Sequence, residues 1–346
     1  MPADRRFLVS ELMSETSQTE SKMSNGDVQP KVSVGVPVYN GERFLEGCLD
    51  ALLAQTYGDF EIIISDNGST DSTMQICRRY ADRDSRIRYY RTDVNHGAAW
   101  NFNRTVKLAN GMYFKWAAHD DLCAPEFLQS CVDVLDSDES VVLACPKPRV
   151  INDRGEKMEP YGIALKTDAP EPHVRYGEVV RGDVGYKCFE VFGLYRMSAL
   201  KNTELIGNYP HGDGVLLARL ALFGRFQEVP EEWFFPREHA GQSMQAMKDR
   251  YAYSDWFDTK RTGRIIFPTW RMFWEYFRAI GGTPTSLWQR MMCQAYLLRS
   301  AISYRRKFVR DIVGAWHMRR RRRVVIPKSA SAVSSASSSS GGSSDR

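Results

Sequence analysis

Residues 34–45 read VGVPVYNGERFL and place a run of small and β-branched residues directly before an Asn-Gly pair. Such a run favours a strand, and Asn-Gly favours a turn at its end. A helix is then expected after Gly41. The segment therefore predicts a strand, a tight turn and a helix, with Tyr39, Asn40 and Glu42 beside the carboxyl end of the strand.

The same alternation continues downstream. Further apolar runs lie at 60–64, 87–90, 112–118 and 141–145, and helical stretches are expected near 42–55, 71–82, 98–109 and 125–136. Alternating strands and helices predict an α/β fold, in which helices cover both faces of a mostly parallel sheet. Such sheets bind ligands in the crevice beyond the carboxyl ends of their strands.

Acidic residues follow two of these runs. Asp66 lies in ISDNGSTDST, and Asp120 and Asp121 end the segment KWAAHDD. Adjacent carboxylates repel each other unless a cation lies between or beside them, and hard divalent cations take oxygen ligands. The pair therefore predicts a metal at the crevice, although either Asp could instead cap the helix that is expected near Pro125.

Two later segments add a third carboxylate and a histidine. Asp213 stands between glycines at the start of an amphipathic helix in YPHGDGVLLARL, and His239 follows a strand-like run in FFPREHAGQS. Asp213 could serve only as an N-cap, and a lone histidine is usually an ordinary surface or core residue. Their position after the acidic segments favours a functional role.

The order of these four segments resembles family 2 glycosyltransferases of the GT-A fold. The resemblance implies an inverting enzyme that uses Mn²⁺ or Mg²⁺ and moves a sugar from a nucleotide-diphosphate sugar, foremost a UDP-sugar, to a saccharide or lipid-linked acceptor. It assigns Asp213 as the catalytic base, Asp121 and His239 as metal ligands, and Pro37, Tyr39, Asn40, Glu42, Asp66 and Asp120 as nucleotide-binding residues. Asp66 is expected at the nucleotide base, and Asp120 at the ribose or a metal-bound water.

The chain departs from the family pattern at two positions. His119 occupies the first position of the motif that is often written D-x-D, which leaves its role open. Gly212 stands where the family often has Glu, so an assisting acid beside Asp213 is missing. Gly193 is expected to match a glycine loop at the boundary between donor and acceptor.

Composition bounds the organisation of the chain. With 346 residues and 43% hydrophobic content, it can bury one large core, or one core plus a helical annex, which excludes a fibrous or wholly disordered protein. The predicted organisation is a disordered tail (1–29), a GT-A domain (30–248), a helical basic extension (249–327) and a Ser/Gly-rich disordered tail (328–346). Seven scattered cysteines without a CxxC pair argue against a disulfide framework or a zinc site, and favour a reducing cytoplasm.

The C-terminal region concentrates the positive charge. Residues 305–323 carry nine Lys and Arg but only one acid, Asp311, together with apolar residues. This composition predicts that 301–323 lies on an anionic membrane surface, supported by upstream aromatic residues. Those aromatic residues are Trp270, Phe273, Trp274, Tyr276 and Phe277. A solvated charged helix and a nucleic-acid patch are the alternatives; the membrane is favoured, so no nucleic-acid partner is predicted.

The sequence has neither a secretory signal nor the roughly 20 consecutive apolar residues that span a bilayer. A cytoplasmic protein, peripheral on the inner face of the cytoplasmic membrane, is therefore expected. Two other functions remain open. A nucleotidyltransferase would use a similar sheet and paired carboxylates, but usually carries a Gly-rich basic loop where this chain has YNGERF. A non-catalytic membrane-surface protein with a vestigial site would explain both the basic helix and Gly212.

Overall fold

The computed structural model describes residues 29–162, 165–181, 187–241, 256–257 and 267–324, with backbone alone for 317–324. The two predicted tails lie outside these residues, except for Gln29. Residues 242–255 and 258–266, which include the end of the predicted GT-A domain and the start of the predicted extension, also lie outside them.

An eight-stranded sheet forms the centre of the molecule, in the order β3-β2-β1-β4-β7-β6-β8-β5. Its strands are β1 Val32–Val38, β2 Phe60–Asp66, β3 Ile87–Arg91, β4 Tyr113–Trp116, β5 Leu122–Cys123, β6 Val141–Pro148, β7 Leu194–Arg196 and β8 Arg225–Phe235. Strands β1 to β4 pair in parallel, as do β6 and β8, whereas β7 and β5 run antiparallel to their neighbours. The predicted α/β fold with a mostly parallel sheet is confirmed.

Ten helices accompany the sheet in the described part of the chain. They are α1 Leu45–Leu53, α2 Thr73–Arg83, α3 Ala98–Leu108, α4 Phe127–Ser137, α5 Pro172–Arg181, α6 Met197–Leu200, α7 Gly212–Leu220, α8 Pro268–Ile280, α9 Leu287–Ser303 and α10 Arg305–Val324; a 3-10 turn spans Phe189–Phe192. Two hydrophobic clusters form the core. One holds buried side chains of α1, α2 and α4, and the other holds those of α3, α5, α7, α8 and α9. Helices therefore cover both faces.

Parallel register brings the carboxyl ends of three strands together. Val38, the last residue of β1, pairs with Asp66, the last residue of β2, and Gly35 of β1 pairs with Trp116 at the end of β4. Because the loops after these strands leave the sheet at one edge, the segments that the sequence singled out become neighbours.

The C-terminal helices confirm a helical extension, and they share a core with the sheet domain. Met272, Phe273 and Tyr276 of α8, with Cys293 and Leu297 of α9, belong to the same buried cluster as α3 and α7. The domain boundary near 248 stays a prediction, but it does not separate two cores. No helix in the described residues is both long and apolar enough to cross a membrane.

Candidate active site

Hydrogen bonds join the turn after β1 to the turn after β2. The Asn40 amide donates to Ser69 Oγ (2.9 Å), and Asn40 Oδ1 accepts from the Thr70 amide (2.8 Å). Asn40 has a φ of 52°, in the left-handed region that Asn tolerates better than most residues. The Gly41 amide donates to Thr73 Oγ1 at 2.8 Å. These bonds hold the edge of the crevice in one shape.

Glu42 takes part in the same hydrogen bonding between the two turns. Its Oε2 accepts from the Ser72 amide (2.9 Å), just before α2, and its own amide donates to Asp71 Oδ2 (3.1 Å). A carboxylate at a helix N-terminus satisfies amides that have no partner within the helix. Glu42 therefore supports the edge of the crevice, while the exposed Tyr39 beside it is open to a ligand. Pro37 is buried within β1.

Asp66 lies beneath this edge. Its side chain is fully buried; Oδ1 accepts from the Ser69 amide at 2.9 Å, and Oδ2 accepts from the Tyr89 hydroxyl at 2.8 Å. Arg91 Nε lies 3.3 Å from Oδ2. Burial raises the pKa of Tyr89, and the Asp66 carboxylate raises it further. Asp66 thus shapes the turn above it, and its predicted contact with a nucleotide base stays a prediction.

Asp120 and His239 meet at the edge of the crevice. His239 Nε2 lies 3.0 Å from Asp120 Oδ2, and both side chains are largely shielded from solvent. The other ring nitrogen of His239, Nδ1, is buried and has no hydrogen-bond partner among the described residues. The ring lies 4.7 Å from that of Phe44. A carboxylate oxygen and an imidazole nitrogen therefore converge, although 119 residues separate them in the chain.

Asp121 meets a different partner. Its Oδ1 accepts from the Arg237 amide at 2.8 Å, and the Arg237 guanidinium donates from Nε to the Asp120 carbonyl (2.8 Å). Burial raises the pKa of Asp121 well above its ordinary value, and the charge of Asp120 adds to the rise. Its side chain lines a small internal cavity with Cys48 and Lys115. The structure thus brings Asp120, rather than Asp121, to His239.

Asp120 and His239 could hold a divalent metal only if a bound ligand supplied further oxygen atoms. Among the described residues, no three His, Cys, Asp or Glu side chains converge as a complete metal site. Mg²⁺ and Mn²⁺ in phosphate-binding sites commonly use one or two protein ligands, with phosphate oxygens and waters completing the shell. Asp120 and His239 fit that requirement, since each presents an atom to the other at hydrogen-bond distance.

Asp213 lies at the start of α7. Its Oδ1 accepts from the Gly214 amide at 2.8 Å, and the side chain is half-buried. A Cβ on Gly214 would lie 2.8 Å from Tyr276 Oη, so a glycine there allows α8 to approach. Burial raises the pKa of Tyr276, and the nearby charge of Asp213 contributes to the rise. Asp213 is therefore an N-terminal carboxylate with one oxygen bonded to its own helix.

The segment 187–193 contacts both the neighbour of His239 and the start of α7. Lys187 forms an ion pair with Glu238, the neighbour of His239. The 3-10 turn that follows Cys188 packs Phe189 against Phe234 of β8, with ring centroids 6.1 Å apart. Gly193 ends this segment, and a Cβ there would lie 2.7 Å from the Ala144 carbonyl oxygen, so its close contact is with β6. At its other end the segment approaches α7, since a Cβ on Gly214 would lie 3.8 Å from Cys188 Sγ.

Residues 33–203 match the model of Glycosyl transferase family 2. These residues form a glycosyl transferase family 2 domain. An uncharacterized glycosyltransferase of Rickettsia typhi is 34% identical over 125 residues, which are 36% of this chain and 38% of the relative. The uncharacterized glycosyltransferase EpsJ of Bacillus subtilis is 34% identical over 131 residues, 38% of each chain. This family 2 chain thus spans well under half the length of either relative.

The fold of this family 2 chain is similar to that of S. aureus TarS. A crystal structure of TarS in complex with UDP-GlcNAc has a TM-score of 0.59 at 16% identity, covering 83% of this chain and 81% of that chain. Another TarS structure has a TM-score of 0.58 at 18% identity, covering 79% and 72%. At this identity the likeness shows a shared fold. The predicted family and the GT-A fold are confirmed.

Arg237 contacts two residues of the candidate site, a role that the sequence did not reveal. Although it is a long cation, it is buried, and it bonds Asp120, Asp121 and the Asn152 carbonyl. The only signal was its alternation with His239 in PREH. Arg237 contacts the Asp121 side chain and the carbonyls of Asp120 and Asn152, which come from separate segments of the chain. The sequence alone does not show that these groups lie close together.

A cavity of about 450 Å³ lies between α3, α7, α8 and the loop at 203–209. Its walls include Trp100 and Tyr209, and Glu275, which pairs with Arg271 and Arg278. None of the predicted site residues of this family 2 domain lines it. The cavity is therefore distinct from the crevice at the strand ends.

Proposed function

We propose that the chain is an inverting glycosyltransferase that moves a sugar from a nucleotide-diphosphate sugar to a hydroxyl acceptor. The observation that carries the proposal is the convergence of Asp120 and His239 at the strand ends of a domain whose family is glycosyl transferase family 2. TarS, which shares the fold, was solved in complex with UDP and with UDP-GlcNAc, and this supports a UDP-sugar as donor.

Asp120 and His239 are the proposed ligands of Mn²⁺ or Mg²⁺. An imidazole among oxygen ligands favours Mn²⁺ over Mg²⁺. When bound, such an ion would neutralise charge on the diphosphate leaving group. Asp121, which the sequence predicts as a direct ligand, has a supporting role in this proposal: its Oδ1 holds the Arg237 amide, and the Arg237 guanidinium holds the Asp120 carbonyl.

Tyr39 is the proposed donor contact of the first turn, because it is exposed at the carboxyl end of β1. Asn40 and Glu42 contribute through their hydrogen bonds between the two turns, and Asp66 contributes through its hydrogen bond to the Ser69 amide. An aromatic face beside a phosphate-binding edge suits stacking on a nucleotide base. These residues therefore bind the donor in two ways, Tyr39 by contact and the others by keeping the edge in place.

Asp213 is the proposed catalytic base. It removes the proton from the acceptor hydroxyl as that oxygen forms a bond to the anomeric carbon, while the bond from this carbon to the diphosphate oxygen breaks. The electron pair leaves with the nucleoside diphosphate from the opposite face, so the configuration inverts and no covalent enzyme intermediate forms. Gly214, the next residue, lets Tyr276 of α8 approach the start of α7, since a Cβ there would lie 2.8 Å from Tyr276 Oη.

The acceptor is proposed as a saccharide or a lipid-linked saccharide. We further propose that the enzyme acts at an anionic membrane surface through residues 301–323, in keeping with the charge of that region. The predicted cytoplasmic location belongs to the same proposal. The proposals on membrane binding and on location are independent of the transfer chemistry, since neither involves the donor site.

Thermal stability with UDP, GDP and dTDP, each with and without Mn²⁺, tests the donor and metal together. A ligand at 100 times its Kd stabilises the folded state by about 2.7 kcal/mol, so a shift of several degrees is expected with UDP and Mn²⁺ only. Release of UDP from UDP-sugars then measures turnover. No shift with any nucleotide would favour the non-catalytic surface protein, and release of pyrophosphate from nucleoside triphosphate and sugar phosphate would favour a nucleotidyltransferase.

A further inference from the structure

The exposed side of α8 carries three large aromatic side chains. Trp270, Trp274 and Phe277 follow the spacing i, i+4 and i+7, so they lie on one face of the helix. The Trp274 and Phe277 rings stack with centroids 5.9 Å apart. Phe273 and Tyr276, which the sequence also assigned to the membrane surface, are buried in the core. The prediction for those two aromatics was wrong, because their face of α8 packs inward.

The exposed side of α10 continues this surface. Val309, Ile312, Val313 and Trp316 follow the spacing i, i+3, i+4 and i+7. The Trp270 ring lies 4.8 Å from that of Phe308, and Trp270 Nε1 donates to the Phe308 carbonyl, so the two helices are neighbours here. The seven side chains Trp270, Trp274, Phe277, Val309, Ile312, Val313 and Trp316 are each between 47% and 59% exposed, and together they form what we name the apolar face.

Basic residues flank the apolar face. Arg305, Arg306, Lys307 and Arg310 are all exposed on α10, and five consecutive arginines follow in the sequence of the same helix. The single acid of α10, Asp311, is buried and accepts from the Thr269 amide at 2.7 Å. Because that carboxylate caps the first turn of α8 from inside, it does not neutralise the outer surface.

We propose that the apolar face and its flanking basic residues bind the surface of an anionic lipid bilayer. Tryptophan and other large apolar side chains enter the boundary between head groups and acyl chains, while Lys and Arg contact anionic head groups. A second copy of this chain does not complement the surface, because two such faces would bring equal positive charges together. The inference rests on the membrane part of the proposed function and names the residues that contact the bilayer; it does not rest on sugar transfer, since binding is measured without donor or metal.

Flotation of the full-length protein with vesicles tests the proposal. Phosphatidylcholine vesicles are compared with vesicles that also contain phosphatidylglycerol, at low and at high salt. The charge variant is R305Q/R306Q/K307Q/R310Q, and its matched control is R78Q/R154Q/K166Q/K201Q, which removes four exposed charges elsewhere. The apolar variant is W270S/W274S/W316S, and its control is M112S/M158S, at exposed apolar positions away from the face.

Wild type and both controls are expected to float with the anionic vesicles alone, and less so at high salt. Each experimental variant is expected to lose at least about tenfold in partition coefficient, because every nearby basic residue and every inserted apolar residue adds to binding. Melting temperatures within a few degrees of wild type ensure that the variants are folded. Equal binding to both kinds of vesicle, or equal loss in the controls, would overturn the proposal.

Two other outcomes would also overturn it. Sedimentation that reveals a dimer abolished by W270S/W274S/W316S, without any vesicle binding, would make a second copy the occupant of the face. Binding of a nucleic-acid duplex that prevents flotation, at concentrations where vesicles do not bind, would make the basic residues a nucleic-acid site.

Discussion

Asp120 and Asp121 are adjacent in sequence, yet their side chains meet different partners. Asp120 faces the imidazole of His239, whereas Asp121 is held by the Arg237 amide. Both contacts come from a segment more than 110 residues away in the chain. The segment that follows β8 thus contacts both carboxylates, the Asp120 carboxylate at the proposed metal ligand His239 and the Asp121 carboxylate at a backbone amide.

This division gives a matched pair of variants. Asp120→Asn and His239→Ala should abolish the Mn²⁺-dependent stabilisation by UDP, because each removes one of the two proposed ligands. Asp121→Asn should retain it, since an amide oxygen still accepts from the Arg237 amide. Differential scanning fluorimetry and Mn²⁺ binding by electron paramagnetic resonance make the comparison. If Asp121→Asn alone loses the metal, the ligand that the sequence predicted is the correct one.

Asp213 supports a prediction about turnover. Asp213→Asn should lower kcat by about 10²–10⁴-fold, the range that a positioned general base contributes, with little change in UDP binding. The substitution preserves the acceptor oxygen for the Gly214 amide, so the start of α7 should stay formed. Steady-state UDP release and isothermal titration with UDP measure the two quantities. Wild-type transfer rates in this variant would show that Asp213 only supports the first turn of α7, where His211 is the N-cap residue.

At the scale of elements, the two turns after β1 and β2 behave as one unit. Asn40, Gly41 and Glu42 each exchange backbone or side-chain hydrogen bonds with residues 69–73. Neither turn is stabilised by its own residues alone. The edge of the crevice therefore depends on the register of β1 with β2, in which Val38 lies opposite Asp66.

Two substitutions of Asn40 distinguish how much its left-handed backbone and how much its hydrogen bond contribute to stability. Asn40→Ala should destabilise the fold by about 1–2 kcal/mol, since the bond to Thr70 is worth about 1 kcal/mol and Ala tolerates the left-handed conformation less well than Asn. Asn40→Gly should lose only the bond. Urea unfolding at equilibrium measures both. If Asn40→Gly instead weakens UDP binding strongly while unfolding like wild type, Asn40 contacts the nucleotide directly, as the resemblance implied.

Whether the sequence could predict an element depends on how far apart in the chain the residues that stabilise it lie. Strands β1, β2 and β4 and the turns after them depend on local alternation and on Asn-Gly and Asp-containing turns, so they were predictable. Strand β7 has only three residues, Leu194–Arg196, and exists because it pairs antiparallel with β4 and β6. Likewise, the inward and outward faces of α8 depend on what packs against it, which is why Phe273 and Tyr276 were assigned to the wrong side.

At the scale of the whole molecule, the C-terminal helices complete the core on one face of the sheet. Helix α8 contributes Met272, Phe273 and Tyr276 to the cluster that α7 also enters, and α9 contributes Cys293 and Leu297. Ser300 Oγ of α9 donates to the Val180 carbonyl of α5 at 3.0 Å. The helix that begins with the proposed base is therefore packed against the same extension that carries the apolar face.

This arrangement predicts that the sheet domain does not fold alone. A chain that ends at residue 248, the predicted domain boundary, lacks the seven core side chains of α8 and α9, and each fully buried large apolar side chain contributes about 1.5–3 kcal/mol. The loss, on the order of 10 kcal/mol, is comparable to the whole stability of a typical domain. A chain that ends at 327, which removes only the Ser/Gly-rich end, serves as the control and should melt like wild type. Circular dichroism should therefore give no cooperative melt for the 248 chain, because its remaining half of the core would face water; a cooperative melt near that of the control would establish 30–248 as an independent domain.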